Sequence, residues 1–339
     1  MRKYALLLLM AFGIALQIIP PAFAALTQFS SEEAEVIILH PGSEHGSPRD
    51  IATFTGIATF SEFSVRTVDY RFIIKREAFF NGSGKRKFKV LIMGGGEGHN
   101  WFRKALGDPG ISCAGVKNIM NFIESGGSVI AICICGSALF ASEVEWLNPN
   151  EKEAQMGLWD RKHSHPGHFK RLCGFSAFKG LVRGPQETNR PYPKKLFLPI
   201  RMNLENEIVR GANLPAVIPQ IVVGSGSLFP DKDQPFDIIG WYPNGTIAMG
   251  VVPYGSGRVI LSNPHPNQTG PDAARSREGA ISGKHARKWG WTDEMIKEMR
   301  KILQDNPVPS RQQERDSWEL AKAMLIYAHR KASQQPDHK

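Results

Sequence analysis

The stretch GGSVIAICICG, residues 126–136, decides the fold class. Its two glycines end a segment of helical spacing, 116–125, which is a signal for the C-terminus of a helix. The almost wholly apolar run that follows, 128–133, has the length of a buried strand. The small residues after Cys133 lead into a second helical segment, predicted over 136–145. The sequence therefore predicts a helix–strand–helix unit with a cysteine at the strand end.

Apolar runs of the same kind recur along the chain and alternate with helical segments in its first half. Continuous apolar strands that alternate with helices predict a parallel sheet covered on both faces. The chain is accordingly expected to be an α/β protein with a mostly parallel central sheet flanked by helices, followed by C-terminal helices. The remaining predicted strands are 35–40, 65–74, 88–93, 236–242, 246–252 and 258–262, and the remaining predicted helices are 50–63, 292–304 and 310–331.

Three features of the sequence fall at the ends of predicted strands, where ligand sites of α/β proteins lie. Cys133 stands where a nucleophile would be exposed, and the helix that follows favours a thiolate. Gly94, Gly95 and Gly96 follow the strand 88–93, and glycines let backbone N–H groups approach a ligand closely. His265 lies in a Pro-His-Pro loop after the strand 258–262, a suitable place for a general base.

These features together resemble the class I glutamine amidotransferase-like superfamily, and within it the biotin-protein ligase N-terminal-like domain family. The resemblance rests on Gly95-Gly96 after a strand, on the cysteine elbow at 126–133 and on the closing motif GSGRVILSNPHP at 255–266, the most specific of the three. It covers roughly 35–267. It implies a flavodoxin-like fold of the glutamine amidotransferase-like type.

The family pattern implies roles for individual residues. Cys133 is the expected nucleophile and His265 its partner, and the amides of Gly95, Gly96 and Ile134 are expected to bind an oxyanion or substrate. Glu44, in the loop after the first strand, lies where the intracellular-protease and chaperone branch of the superfamily places a carboxylate near the cysteine.

Two departures from the family pattern leave the activity open. A cysteine, Cys135, stands two residues after Cys133, where the family usually has glycine, and a second alignment frame makes Cys135 the nucleophile. Asn267 stands where the triad carboxylate is usual; it can orient an imidazole but cannot stabilise an imidazolium by charge. The expected function is a cysteine-dependent amidohydrolase acting on a small-molecule or peptide-like substrate. The alternative is a non-catalytic ligand-binding or regulatory module on the same fold.

Domain boundaries follow from the same patterns. One α/β domain is expected over 25–290, with an insertion around 148–219 where prolines, glycines and basic residues are frequent and periodicity is weak, and a helical extension over 291–339. The insertion contains three closely spaced histidines without an obvious carboxylate ligand, so no metal site is expected there. They are His163, His165 and His168. No cofactor is expected.

The N-terminus predicts a cleavable secretory signal peptide. Arg2 and Lys3 precede an uncharged apolar stretch, 5–19, and Ala22 and Ala24 occupy the small-residue positions before cleavage. Cleavage is expected after Ala24, and the protein is expected to be secreted or periplasmic. This compartment lacks the cytosolic biotin and nucleotide chemistry that the family name suggests.

The charge and cysteine content restrict the interpretation further. The net charge of +10 comes without a dense basic stripe with interleaved aromatic residues, so nucleic-acid binding is not expected. No segment after the leader has the length of a membrane span. Export permits disulfides, and Cys113–Cys173 is the expected pair if one forms. The spacing of Cys133 and Cys135 leaves a redox role open as a third, weaker hypothesis.

Overall fold

The computed structural model describes residues 34–40, 48–94, 109–146, 177–184, 195–223, 226–266, 292–306 and 308–334. The strands are β1 (Val36–His40), β2 (Val65–Asp69), β3 (Val90–Met93), β4 (Ser128–Ile132), β5 (Ala141–Trp146), β6 (Phe178–Gly184), β7 (Lys195–Met202), β8 (Val217–Val223), β9 (Ser227–Pro230), β10 (Asp237–Trp241), β11 (Ile247–Tyr254) and β12 (Gly257–Ser262). The α-helices are α1 (Pro48–Phe60), α2 (Arg76–Phe79), α3 (Pro109–Glu124), α4 (Cys133–Phe140), α5 (Glu207–Gly211), α6 (Asp293–Gln304) and α7 (Arg311–Ser333).

The centre of the sheet is parallel and lies between helices. Its strands follow the order β2-β1-β3-β4-β12, and every neighbouring pair in this series is parallel. All residues of β3 and β4 are buried. The crossovers β1–α1–β2 and β3–α3–β4 run in opposite directions along the sheet, so right-handed connections place α1 and α3 on opposite faces. The expected α/β class, with a mostly parallel central sheet and C-terminal helices, is confirmed.

Beyond β12 the main series of strands becomes antiparallel and curls. The order continues as β12-β11-β10-β7-β8, and β9 joins β11 to the pair β5–β6. The predicted hairpin at Asn244-Gly245 joins β10 to β11; Gly245 has φ +83° and its N–H donates to the Tyr242 carbonyl over 2.9 Å. At the far end, Ile221 of β8 forms an isolated bridge with His265. The last strand of the series therefore returns to the loop that follows β12.

Two predicted elements change to a different secondary structure part-way along their length. The strand predicted over 65–74 ends at Asp69, whose carboxylate accepts a hydrogen bond from the Arg71 backbone N–H over 2.7 Å and caps a 3₁₀ helix, Tyr70–Ile74. The helix predicted over 136–145 begins three residues earlier and stops at Phe140, because the following residues form β5 and pair with β6. A local side-chain cap changes the first element, and a long-range pairing changes the second.

The region 148–219 contains β6, β7, α5 and the first three residues of β8, although its sequence shows little periodicity. Prolines disguise the pair β7–β8: Pro199 lies directly opposite Pro219 in the antiparallel register. Two residues before Pro199, the Phe197 backbone N–H donates to the Asn306 side chain rather than to β8. Backbone groups of every second residue in a strand face the same side, so the backbone nitrogens of Phe197 and Pro199 both face away from β8. The ring nitrogens of the two prolines, which carry no hydrogen, thus lie where β7 and β8 do not bond to each other, and the pairing loses no hydrogen bond.

The two predicted C-terminal helices are confirmed, and α7 belongs to the core. It begins with a capping box between Ser310 and Gln313. Its buried face packs against α1, α5 and the strands β3, β4, β8 and β12. Five of its side chains are completely buried in the main hydrophobic core: Leu320, Ala321, Met324, Leu325 and Ala328. Within the described residues, no helix is long and apolar enough to cross a membrane.

Glycines fix the register of β4 and β12 at their amino ends. A Cβ on Gly257 would lie 2.1 Å from the carbonyl oxygens of both Gly127 and Ile123. Gly127 itself has the Phe122 ring against it, at 2.4 Å from an added Cβ. The glycines of the closing motif therefore serve close packing at the amino edge of the sheet, at the opposite end of β12 from the histidine.

Replacement of Gly257 by alanine is expected to destabilise the protein by about 2–3 kcal/mol, because the added methyl group meets backbone atoms that cannot move aside. Gly211→Ala is the matched control, since nothing lies within 4 Å of its added Cβ; it should be neutral or stabilise by up to about 1 kcal/mol. Urea unfolding measures both. Equal stability of the two variants would contradict the packing argument.

The amino edge also holds a polar cluster that ties α7 to the sheet. The Glu35 carboxylate accepts hydrogen bonds from Lys89 Nζ over 2.7 Å and from His329 Nε2 at 3.0 Å. The Phe63 ring stacks on the His329 imidazole with centroids 4.0 Å apart. Burial raises the pKa of Glu35, but the hydrogen bonds from Lys89 and His329 outweigh it and the net pKa is lowered. Burial lowers the pKa of His329 in spite of the hydrogen bond to Glu35.

Both shifts predict a loss of stability in acid. Because the pKa of His329 lies below its ordinary value of 6.5 in the folded state, the unfolded chain takes up this proton first and stability falls as the pH drops below 6.5. The lowered pKa of Glu35 removes further stability as the pH falls below 4.5 and through the folded value. His329→Gln should flatten the first of these losses and retain part of the second, because Lys89 still lowers the pKa of Glu35; urea midpoints across the acid range measure both. An unchanged slope below pH 6.5 in this variant would exclude His329 as its source.

Candidate functional site

The carboxyl ends of β3, β4 and β12 meet at one edge of the sheet. Met93 is in register with Ala131, and Ile132 is in register with Ser262. Gly94 follows β3, Cys133 follows β4, and His265 lies three residues beyond β12. Neighbouring strands are about 4.8 Å apart. The parallel order thus places three features side by side: the carboxyl end of β3, the cysteine elbow after β4 and the histidine loop after β12.

Cys133 occupies a strained elbow. Its φ is +71°, whereas Ile132 before it is extended and the residues after it are helical. A left-handed conformation of a non-glycine residue costs on the order of 1–3 kcal/mol and is concentrated at functional sites. Gly136 permits the sharp turn, because its Cβ would lie only 3.1 Å from that of Ala131. Cys133 is 5% exposed and forms no disulfide.

The backbone supports one of the two alignment frames. Among the described non-glycine residues, positive φ occurs at Glu62, Cys133 and Asn213, and of these Cys133 alone follows a central strand. Cys135 is the third residue of α4, inside the helix. Of the two cysteines, Cys133 therefore takes the strained backbone conformation at the strand end. Ile134 contributes a backbone N–H to the first turn of α4.

The loop that carries His265 is buried and hydrogen-bonded on both sides. His265 is 3% exposed, and its backbone N–H donates to the Ile221 carbonyl over 2.9 Å. The Ser262 hydroxyl donates to the Pro264 carbonyl over 2.9 Å. The buried Asn263 amide donates to the Gly226 carbonyl over 2.6 Å. The sequence motif indicated the histidine but gave no sign that β8 and the loop before β9 hold it.

Two further residues near the histidine were missed by the sequence analysis. The Ser317 hydroxyl of α7 donates to the Pro266 carbonyl over 2.8 Å, and Gln220 Nε2 of β8 donates to the Ser317 oxygen over 2.7 Å. Gln220 and Ser317 are completely buried. The only sequence signal for them was a polar residue inside an otherwise apolar strand or helix face, which is a weak signal in a single sequence.

Other predicted site residues lie outside the described residues: Glu44, Gly95, Gly96 and Asn267. Cys173 and the three histidines of the middle segment also lie outside the described residues. For Cys113, Ile134 and Cys135 the backbone is described but the side chain is not. Their roles stay predictions. The described part of the chain contains no group of three or more His, Cys, Asp or Glu side chains that could hold a metal ion.

The positive φ of Cys133 gives a test of the elbow that is independent of activity. Cys133→Gly should be more stable than Cys133→Ala by about 1 kcal/mol, because glycine adopts this conformation without strain. At Ala328, in the interior of α7, the same change from alanine to glycine should instead cost about 1 kcal/mol. Thermal and urea unfolding of the three variants measure the order. A more stable alanine variant at 133 would contradict the strained elbow.

Comparison with known proteins yields similarity of fold only. No family model matches the chain, and no curated protein matches it. A glutamine amidotransferase from Thermotoga maritima is 10% identical, with a TM-score of 0.48 over 88% of this chain and 98% of that chain. A cytoplasmic protein from Salmonella typhimurium is 10% identical, with a TM-score of 0.44 over 80% of this chain and 98% of that chain.

Part of a larger enzyme is also similar. A β-galactosidase from Bacillus circulans is 10% identical, with a TM-score of 0.38 over 69% of this chain and 29% of that chain. At these identities and scores, the similarities say nothing about the chemistry of this protein.

Proposed function

We propose that the protein is a cysteine-dependent amidohydrolase in which Cys133 is the nucleophile and His265 the general base and acid. The observation that carries the proposal is the strained, buried cysteine at the end of β4, beside the strand that leads into the buried histidine loop. Strain is retained where the geometry of a reacting group requires it. A buried histidine held at the same sheet edge supplies the proton-transfer group that such a nucleophile needs.

The proposed reaction proceeds in two acyl-transfer steps. The Cys133 thiolate attacks the amide carbonyl carbon; a C–S bond forms, the C–N bond breaks, and the imidazolium of His265 gives its proton to the leaving amine. Water then attacks the thioester carbonyl and loses a proton to His265; the C–S bond breaks, the carboxylic acid leaves, and the Cys133 thiolate and the His265 imidazolium are regenerated. Backbone N–H groups of Gly95, Gly96 and Ile134 would stabilise the oxyanion in both steps.

The proposal includes a family and a compartment. It assigns the chain to the class I glutamine amidotransferase-like superfamily and to its biotin-protein ligase N-terminal-like family, on the strength of the motifs at 126–133 and 255–266. It also includes export with cleavage after Ala24, which N-terminal sequencing of the protein from its native host tests directly. The substrate would then be a small amide or a peptide-like compound that reaches an extracytoplasmic enzyme.

The test is the pH profile of Cys133 alkylation. We expect iodoacetamide to modify Cys133 with a midpoint below about pH 8.5, the ordinary value for a thiol. His265→Ala should raise that midpoint by about one unit or more, because the imidazolium no longer favours the thiolate. Peptide mass spectrometry assigns the adduct, and Cys135→Ser serves as the matched control, with the profile of Cys133 unchanged.

The opposite result supports the alternative function. An ordinary thiol midpoint at Cys133 that is insensitive to His265→Ala would overturn the enzyme proposal and favour a non-catalytic ligand-binding module. The presence of Asn267 in place of a triad carboxylate favours this alternative, because an amide does not stabilise an imidazolium by charge. Modification at Cys135 with the perturbed midpoint would instead move the nucleophile to the second alignment frame.

A further inference from the structure

A completely buried polar chain links the C-terminal helix to the histidine loop. It runs from Gln220 Nε2 to the Ser317 hydroxyl over 2.7 Å, and from this hydroxyl to the Pro266 carbonyl over 2.8 Å. Both Gln220 and Ser317 have no exposed surface. Ser317 is 51 residues away from Pro266 along the chain, so the contact is purely tertiary.

The direction of the chain is fixed by the chemistry of its members. A proline carbonyl can only accept, so the single proton of the Ser317 hydroxyl must be directed to Pro266. The hydroxyl oxygen then accepts, which requires the Gln220 amide nitrogen, rather than its oxygen, to face Ser317. Loss of the hydroxyl would leave a buried carbonyl and a buried amide N–H unpaired, which is costly in an apolar environment.

The two backbone groups that flank the imidazole are thus tied to different elements. On the amino-terminal side of the imidazole, the His265 backbone N–H donates to the Ile221 carbonyl of β8. On its carboxyl-terminal side, the Pro266 carbonyl accepts from the Ser317 hydroxyl of α7. Pro264 and Pro266 restrict φ on either side of the histidine. With both ends bonded and both neighbours restricted, the loop holds the backbone of His265 in one position.

We infer that Ser317, supported by Gln220, is a positioning residue that holds the His265 imidazole in its working orientation. The inference rests on the proposed role of His265 as the proton-transfer group. Ser317 touches neither the substrate nor the reacting atoms; it acts through the loop backbone. It makes the C-terminal helix, outside the region of family resemblance, a required part of the catalytic apparatus.

The helix is suited to this task because the core fixes its position. Leu320, Ala321, Met324 and Leu325, which follow Ser317, are completely buried among the strands. Protein interiors are close-packed, so a helix seated in this way moves little. The position of the Ser317 hydroxyl is therefore as well defined as the core itself.

The experiment compares Ser317→Ala, Ser317→Thr and Ala328→Gly in the purified full-length protein. Ala328 is a buried residue of the same helix about 16 Å away along its axis, so its replacement lowers stability without touching the loop. One readout is the imidazole resonances of His265 in histidine-labelled protein, assigned with His265→Ala. The other is the pH profile of Cys133 alkylation.

Ser317→Ala is expected to shift or broaden the His265 resonances and to slow Cys133 alkylation near neutral pH by about threefold or more, as expected for one lost hydrogen bond. Ser317→Thr, which keeps the donor, should restore both readouts at least in part. Ala328→Gly should change neither, although it unfolds earlier. Wild-type readouts in Ser317→Ala, or equal changes in Ala328→Gly, would overturn the inference.

The two proposals fail separately. If His265→Ala leaves the alkylation profile unchanged, the proposed enzyme function fails, and the imidazole resonances alone decide whether Ser317 positions His265. If His265→Ala shifts the profile and Ser317→Ala does not, the function stands and the positioning role is lost.

Discussion

The parallel pairing of β4 with β12 is the constraint on which the rest of the structure depends. It joins the parallel half of the sheet to the antiparallel half and sets the end of the cysteine strand beside the strand that leads to His265. The pairing is fixed at its amino end, where Gly257 packs against the carbonyls of Gly127 and Ile123. A larger residue would separate the strands there. The motif glycines at the amino edge of the sheet thereby determine where Cys133 and the histidine loop lie at its carboxyl edge.

The antiparallel half of the sheet curls back and supplies contacts to the histidine loop that the parallel half does not provide. Without the return of β8, the His265 backbone N–H would lack its partner and Ser317 would lack the hydrogen bond from Gln220. Because β8 reaches the loop, a backbone hydrogen bond from His265 to Ile221 and the buried side chain of Gln220 become available. Helix α7 packs against β3, β4, β8 and β12. The helix is thereby an element that both halves of the sheet share.

Local signals in the sequence predicted the centre of the fold well and its periphery poorly. Runs such as 128–132 and 90–93 are apolar and have the length of buried strands, and Asn244-Gly245 carries a strong hairpin signal. The segments 65–74 and 136–145 were misjudged, because a cap at Asp69 and the pairing of β5 with β6 outweigh their local pattern. The strands β7 and β8 were hidden by prolines that a sheet accepts only at outward-facing positions.

The sequence by itself determined the fold class, the cysteine at the end of a buried strand and the histidine loop as the candidate site, since these depend on short apolar runs and local turn chemistry. Only the tertiary structure decided that Cys133 rather than Cys135 takes the strained backbone conformation, since φ at this position is imposed by the packing of α4 on β4. It also decided that Gln220 and Ser317 meet the histidine loop. A contact between residues far apart in the chain leaves no periodic trace in a single sequence, because each partner appears there only as an isolated polar residue.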